Sequence, residues 1–469
     1  DRGLFRYNKT NESIKHYVHN ESVQGSISQN QITDLAETND KQLIVATLKG
    51  LNFYDPINDN FMHINRDEKD DCYSINCDFI NCLLVDKNLI WVGTEAGGLN
   101  KIAPKKLSIH NYIYNENDPG SISRNPVNAI YEDKTGNLWV GTVEGGLNLK
   151  RKDSDKFIHI TSGNSSLSHN SVSAITADEY NHLWIGTWGG GINILDMSNI
   201  SHPTFEHITS GTHPEFTIDF VGALCYDPIN KGIWIGSNRG IYFYDIKIKK
   251  LISPFPFSVT KNILGTIGSL IDKKNKLWIG TSDGAMIIDL KSFARSHSHF
   301  SYKYLKYKSN KPDSHCVDKI NCLYESSNGT IWLGSNGYGL YKLLSRDNEN
   351  YQFQSFTTAQ GLANNCVLGI LEDQRGRLWL STCNGVSCYN PSTNKFINYT
   401  KEDGLISNQF YWNAYCKSRI NQNLYFGNMG GLIAIEGNKI QPKPLNEKVI
   451  FTRLSVLNEI IYPDKGNYI

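Results

Sequence analysis

Trp188 and Trp412 occupy positions that suit contact with a ligand better than packing in a core. Trp188 follows Gly186-Thr187 in a glycine-rich turn, where comparable turns of the chain carry valine, asparagine or serine. Trp412 lies within Gln409-Phe410-Tyr411-Trp412-Asn413, just where a strand is expected to begin. A flat aromatic ring in an exposed loop suits stacking on a sugar ring. The two side chains therefore predict a saccharide site.

Other side chains share this placement in glycine turns or beside Trp412. A guanidinium among them suits a carboxylate or sulfate group, whereas a neutral sugar would depend on the aromatic rings. The charge of the ligand stays open, and so does the simpler alternative, that each side chain only covers the end of a strand. The candidate carbohydrate-binding residues are Trp188, Arg239, Tyr338, Asn384, Tyr411 and Trp412.

The chain carries no pattern of a catalytic or metal centre, and no cofactor is expected. It contains no G-x-S-x-G, no P-loop and no H-E-x-x-H. Glu144 and Asp283 could serve as an acid–base pair only if they faced each other, which the sequence does not show. The ten cysteines form no C-x-x-C pair, and a bond between Cys383 and Cys388 across a turn is disfavoured by the geometry that a disulfide demands.

Composition excludes two classes of partner. Lys and Arg number 47 against 46 Asp and Glu, for a net charge of +1, so no field attracts a nucleic-acid backbone. No apolar run approaches the roughly 18 residues that span a bilayer. Any membrane anchor would be a helix outside this chain.

A tryptophan motif repeats along the whole chain and sets the fold. It reads Leu138-Trp139-Val140-Gly141-Thr142 in its clearest form, followed by a glycine turn. Repeats of this period are typical of β-propeller blades. The tryptophan position recurs at 44, 91, 139, 184, 234, 278, 332, 379 and 425, with isoleucine at 44 and tyrosine at 425.

Each repeat predicts four strands. Val127 to Tyr131 is the first, an Asp133 to Gly136 turn follows, and the tryptophan strand comes next. Two further strands complete the unit. Since a blade lies between two others, the tryptophan is expected to fill one face while Gly141 lets the neighbouring sheet approach. Gly and Thr in every unit exclude helical repeat arrays.

The predicted fold is all-β: a seven-bladed propeller of four-stranded blades, preceded by part of a second propeller and followed by the start of a β-sandwich. Residues 1–117 are assigned to the last blades of the first propeller, since Gly3 to Tyr7 matches a third strand. Residues 118–440 are assigned to the complete propeller. Residues 445–469, after a proline-containing linker, are assigned to the first strand of the truncated sandwich.

The unit from Asn125 to Asn148 resembles the two-component-regulator propeller repeat. That family builds the periplasmic sensor region of Bacteroidetes hybrid two-component systems, in which propellers precede a Y_Y_Y domain. The resemblance implies a non-catalytic sensor that binds an oligosaccharide, regulates glycan-utilisation genes and works as a homodimer within an inner-membrane histidine kinase/response regulator. The chain departs from the repeat pattern at Ser381, which replaces glycine, and at Ile44 and Tyr425, which replace tryptophan, so the number of blades is less firmly predicted than the repeat itself.

Two other functions remain compatible with these residues. One is a propeller-fold polysaccharide lyase or glycosidase, and the other is a scaffold that binds only protein. Oligosaccharide binding without turnover would separate the sensor from the enzyme.

Overall fold

The computed structural model describes residues 2–23, 25–38, 41–56, 58–66, 74–86, 89–102, 109–200, 203–214, 216, 220–255, 259, 268–306, 319–347, 350–440, 454–456 and 459–461. Of the segment 445–469, only residues 454–456 and 459–461 lie within these ranges, so most of the predicted sandwich strand falls outside them.

Three antiparallel sheets come first in the described chain. The first has two strands, the second four and the third three. Their strands are β1 (Leu4–Tyr7), β2 (Ile14–Tyr17), β3 (Ile32–Glu37), β4 (Leu43–Thr47), β5 (Gly50–Asp55), β6 (Asn60–Ile64), β7 (Ile80–Asp86), β8 (Leu89–Thr94) and β9 (Leu99–Ile102).

Seven four-stranded sheets follow, which we number one to seven in chain order. The first four comprise β11 (Val127–Glu132), β12 (Leu138–Thr142), β13 (Gly146–Lys150), β14 (Phe157–Ile160); β15 (Val172–Ala177), β16 (His182–Thr187), β17 (Ile192–Asp196), β18 (Phe205–Ile208); β19 (Val221–Asp227), β20 (Gly232–Ser237), β21 (Gly240–Asp245), β22 (Lys250–Ile252); and β23 (Ser269–Ile271), β24 (Lys276–Thr281), β25 (Gly284–Asp289), β26 (Tyr302–Lys306). The last three comprise β27 (Ile320–Glu325), β28 (Ile331–Ser335), β29 (Leu340–Asp347), β30 (Asn350–Phe356); β31 (Val367–Glu372), β32 (Leu378–Thr382), β33 (Gly385–Asn390), β34 (Lys395–Tyr399); and β35 (Phe410–Lys417), β36 (Leu424–Asn428), β37 (Gly431–Ile435) with β10 (Ile109–Tyr112).

The remaining elements are short. The hairpin after the ring pairs β38 (Leu454–Val456) with β39 (Glu459–Ile461). One helical turn, α1 (Leu290–Arg295), is capped by the Asp289 side chain. Single 3₁₀ turns occur at Met197–Asn199, Thr358–Gln360, Lys401–Asp403 and Gly437–Lys439.

The seven sheets close into a ring. The first strand of each sheet packs against the first strand of the next, and β35 of the seventh sheet packs against β11 of the first. The seventh sheet is completed by β10, whose Ile109 pairs with Ile435 and whose Tyr112 pairs with Leu432. The all-β propeller of four-stranded blades is confirmed. Its seam uses a strand that lies before the predicted boundary at residue 118, and the division of the chain into domains stays a prediction.

The repeat residues have the packing roles that the sequence indicates. Trp139 is fully buried, and a Cβ on Gly141 would lie 2.5 Å from a methyl carbon of Val172 in the next sheet. Gly186 approaches Val221 in the same way. The predicted role of this glycine, to let neighbouring sheets approach, is therefore confirmed.

Candidate functional site

One end of the ring is built from repeated pairs of residues, which we call rim pairs. In each pair, the residue after the second strand of a sheet donates its backbone N–H to the carbonyl of the residue before the first strand. Trp188 bonds in this way to Ser171 at 3.0 Å. The same bond joins Val143 to Pro126, Asn336 to Lys319, Cys383 to Cys366 and Met429 to Gln409. The side chains of the rim pairs therefore surround the mouth of the ring.

The first strand of the seventh sheet departs from the repeat at this mouth. In the first sheet a single extra residue separates the pairs made by Val127 and Ala129. In β35, residues 411–414 lie between the pairs made by Phe410 and Tyr415, opposite only residue 427 on β36. The bulged segment reaches across the ring, because the Asn413 side-chain amide donates to the carbonyl of Gly222 at 3.0 Å. A wide bulge therefore positions Tyr411 and Trp412.

Four aromatic side chains meet there, and we call them the mouth cluster: Trp188, Phe220, Tyr411 and Trp412. The Trp188 ring lies 5.2 Å from Phe220 and 5.7 Å from Trp412, with interplanar angles of 15° and 21°. Tyr411 stacks on Trp412 at 5.7 Å. The indole Nε1 of Trp188 is buried and has no acceptor among the residues that the structure describes. The cluster presents half-buried flat rings to the mouth.

A cavity of about 530 Å³ adjoins the cluster on the side of the fifth, sixth and seventh sheets. Tyr411 and Trp412 line it together with polar and apolar residues of the rim. This volume lies within the range of small-molecule sites, and amide and ammonium donors beside aromatic rings suit a polyhydroxylated ligand. The other lining residues are Lys319, Asn321, Asn336, Cys366, Leu368, Cys383, Gln409, Phe410 and Met429.

The structure brings together three of the six predicted binding residues: Trp188, Tyr411 and Trp412. The other three, Arg239, Tyr338 and Asn384, lie exposed on rim turns. Each donates its backbone N–H to a strand-end hydroxyl: Arg239 to Ser237, Tyr338 to Ser335 and Asn384 to Thr382. Their side chains neither belong to the mouth cluster nor line the cavity, and their role in binding stays a prediction.

Sequence reasoning missed Phe220 and most of the cavity lining. Phe220 directly precedes β19 and forms an isolated bridge with Trp188. Alignment of the repeats would have identified Phe220, Lys319 and Gln409 together, because each residue directly precedes the first strand of its sheet. What the sequence could not show is which sheets face the cavity.

Two weaker possibilities raised by the sequence also receive a structural answer. Glu144 lies in the rim turn of the first sheet and Asp283 in that of the fourth, so two sheets separate these carboxylates around the ring. That placement argues against a catalytic pair. Cys388 is buried opposite Trp379 in the ladder, whereas Cys383 adjoins Cys366. The neighbour of Cys383 is therefore a residue that the sequence did not suggest.

Comparisons with known proteins agree with the propeller fold of the ring. The repeat family described as Two component regulator propeller matches residues 121–144, 166–189, 316–337 and 361–384. A curated relative, Histidine kinase P4 of Formosa agariphila, is 26% identical over 427 residues, which are 88% of this chain and 26% of the relative. The chain thus spans about a quarter of that relative.

Solved structures of low identity share the fold. The extracellular domain of a putative hybrid two component system from B. thetaiotaomicron has a TM-score of 0.63 at 24% identity, over 99% of this chain and 64% of that one. A second such extracellular domain from the same organism has a TM-score of 0.55 at 19% identity, over 98% of this chain and 59% of the other.

No helix in the described ranges is long and apolar enough to cross a membrane. The two structural relatives are extracellular domains, and the described residues of the four matched segments lie in the ring. The four matched segments confirm the predicted resemblance to the two-component regulator propeller repeat, and the likeness to the two extracellular domains confirms the propeller fold.

Proposed function

We propose that this chain is the periplasmic sensor region of a hybrid two-component histidine kinase/response regulator and binds an oligosaccharide at the mouth of the ring. The observation that carries the proposal is the cavity of about 530 Å³, whose wall includes Tyr411 and Trp412. Binding would regulate glycan-utilisation genes through the rest of the protein, anchored by a membrane helix outside this chain.

The lining chemistry supports a sugar over an apolar ligand. Aromatic rings pack against the C–H face of a sugar ring, while amide and ammonium groups bond to its hydroxyls. Asn336 and Gln409 offer both donors and acceptors, and Lys319 offers a positive charge. The lysine allows an acidic sugar, and Arg239, on the exposed rim turn of the third sheet, would extend that preference to a ligand long enough to reach it.

Calorimetric titration with a panel of neutral and acidic oligosaccharides tests this site. We expect Trp412→Ala and Tyr411→Ala to weaken binding of the cognate sugar by about 1–3 kcal/mol, because each removes an aromatic anchor. Tyr180→Ala is the control, since Tyr180 is an exposed aromatic side chain in the Asp178 turn, at the opposite end of its sheet from the mouth.

Full affinity in both cavity variants would place the site elsewhere. Chromatography of the products after long incubation distinguishes sensor from enzyme: an unchanged oligosaccharide agrees with sensing, and cleaved sugar supports the lyase or glycosidase alternative.

We also propose that the sensor region acts as a homodimer, as the resemblance implies. Light scattering of the purified region with and without sugar tests this, and a monomer under both conditions would contradict it.

A further inference from the structure

Cys366 and Cys383 form one of the rim pairs. Cys366 directly precedes β31 and Cys383 directly follows β32, next to the ladder pair Val367 and Thr382. The Cys383 N–H donates to the Cys366 carbonyl at 3.2 Å. Opposed residues of antiparallel strands have Cα atoms roughly 4.5–5.5 Å apart, which lies within the range that a disulfide spans.

The two thiols influence each other's ionisation. Hydrogen bonding from the Cys366 thiol lowers the pKa of Cys383 to about 7 although burial opposes the change. The same bond and burial raise the pKa of Cys366. Since the thiolate is the reactive form and Cys383 is exposed, Cys383 is the nucleophile of the pair.

Three other cysteines in the described part of the ring lack this arrangement. Burial raises the pKa of Cys225, Cys388 and Cys416 to about 12, which keeps these thiols protonated and inert. Cys366 and Cys383 are set apart by position as well, because both line the cavity beside the mouth cluster.

We propose that Cys366 and Cys383 form a reversible disulfide on the rim of the cavity. The Cys383 thiolate attacks one sulfur of an oxidised donor, a protein or small-molecule disulfide, and releases one thiol. Cys366 then displaces the second sulfur. One S–S bond forms in the rim, two S–H bonds are lost, and the donor disulfide is reduced to two thiols.

Oxidation also changes the cavity wall. When Cys383 is protonated, the reduced Cys366 thiol donates to the Asn336 side-chain oxygen at 3.1 Å, and a disulfide has no hydrogen to donate. Asn336 lines the cavity on the turn that carries Tyr338. The effect on ligand binding rests on the proposed saccharide site, whereas the disulfide itself does not.

Peptide mapping of the intact chain tests the pairing. After equilibration with oxidised glutathione and alkylation of free thiols, we expect a linked peptide containing residues 366 and 383, which disappears after reduction. Cys383→Ser should abolish it, and Cys82→Ser should not, because Cys82 is exposed on β7 outside the ring. Alkylation of both residues even after equilibration with oxidised glutathione, or linkage of either one to another cysteine, would overturn the proposal.

A second measurement concerns the cavity. We expect oxidised and reduced protein to differ in affinity for the cognate sugar by about threefold or more, the scale of one net hydrogen bond. Cys383→Ser should show no such difference between redox conditions. Equal affinities with a mapped disulfide would contradict control of the cavity while leaving the saccharide site intact, whereas absence of any sugar binding would count against the proposed function alone.

Discussion

The side-chain carboxylate of Asp133 accepts hydrogen bonds from both a turn and a buried tryptophan. It accepts from the backbone N–H groups of Thr135 and Asn137, at 2.9 and 3.0 Å, and from the Trp139 indole at 3.1 Å. Burial would raise the pKa of Asp133, but hydrogen bonds from Thr135, Trp139 and Asn137 outweigh it and lower the pKa. The turn and the core strand are therefore fixed relative to each other. Equivalent indole bonds form at Trp184, Trp234, Trp278 and Trp379.

We expect Trp139→Ala to destabilise the ring by about 3–5 kcal/mol, because it removes a large buried side chain and leaves Asp133 with one partner fewer. Urea unfolding followed by circular dichroism measures the loss. Trp139→Phe retains most of the packing and should cost less. A loss below about 1 kcal/mol for Trp139→Ala would mean that the surrounding core does not depend on this ring.

At the scale of one element, the second strands of the first two sheets pass close to the first strand of the following sheet. Gly141 and Gly186 lie at the same position of β12 and β16, and each faces a valine that begins the next sheet. An added methyl group would overlap that valine. The absence of a side chain at this position therefore allows adjacent sheets to pack closely.

Gly141→Ala is therefore expected to cost about 1–3 kcal/mol, as overpacking does in tight cores. Gly163→Ala is the control, because a Cβ there would meet only Thr161, at 3.7 Å. Thermal melts of the two variants should differ by several degrees. Equal melting temperatures would show that adjacent sheets move apart at little cost.

Short-range sequence patterns predicted these elements well, and the reason is physical. The strand period, the Asp133 turn and the glycine of the second strand act over a few residues, so the repeat displays them directly. The bulge in β35 depends on a contact from Asn413 to Gly222, which lie 191 residues apart in sequence. The sequence placed Trp412 at the mouth but could not show that it stacks on Trp188, because that contact exists only once the ring closes.

For the whole molecule, ring closure depends on β10. This strand comes from the segment before the first sheet and pairs along its length with β37. Tyr112 also packs edge-on against Phe157, at 5.6 Å, so the strand joins the seventh sheet to the first.

We expect a chain that starts at residue 113 to be less stable than one that starts at residue 103 by roughly 3 kcal/mol or more, since the loss includes a large part-buried aromatic side chain. Unfolding in urea compares the two. The longer form keeps β10 and serves as the control for removal of the three earlier sheets. Identical unfolding midpoints would show that the other three strands of the seventh sheet suffice to close the ring.

The wide bulge and the seam occur in the same sheet, and this has a mechanical consequence. The chain enters the ring at β10 and leaves it after β37, so the seventh sheet contains both ends of the ring and pairs them with each other. Its opposite edge, β35, carries Tyr411 and Trp412 to the mouth. A load applied to those two rings reaches β10 within this sheet through β36 and β37, while the stacking of Trp412 on Trp188 and the bond from Asn413 to Gly222 carry part of it to the second and third sheets.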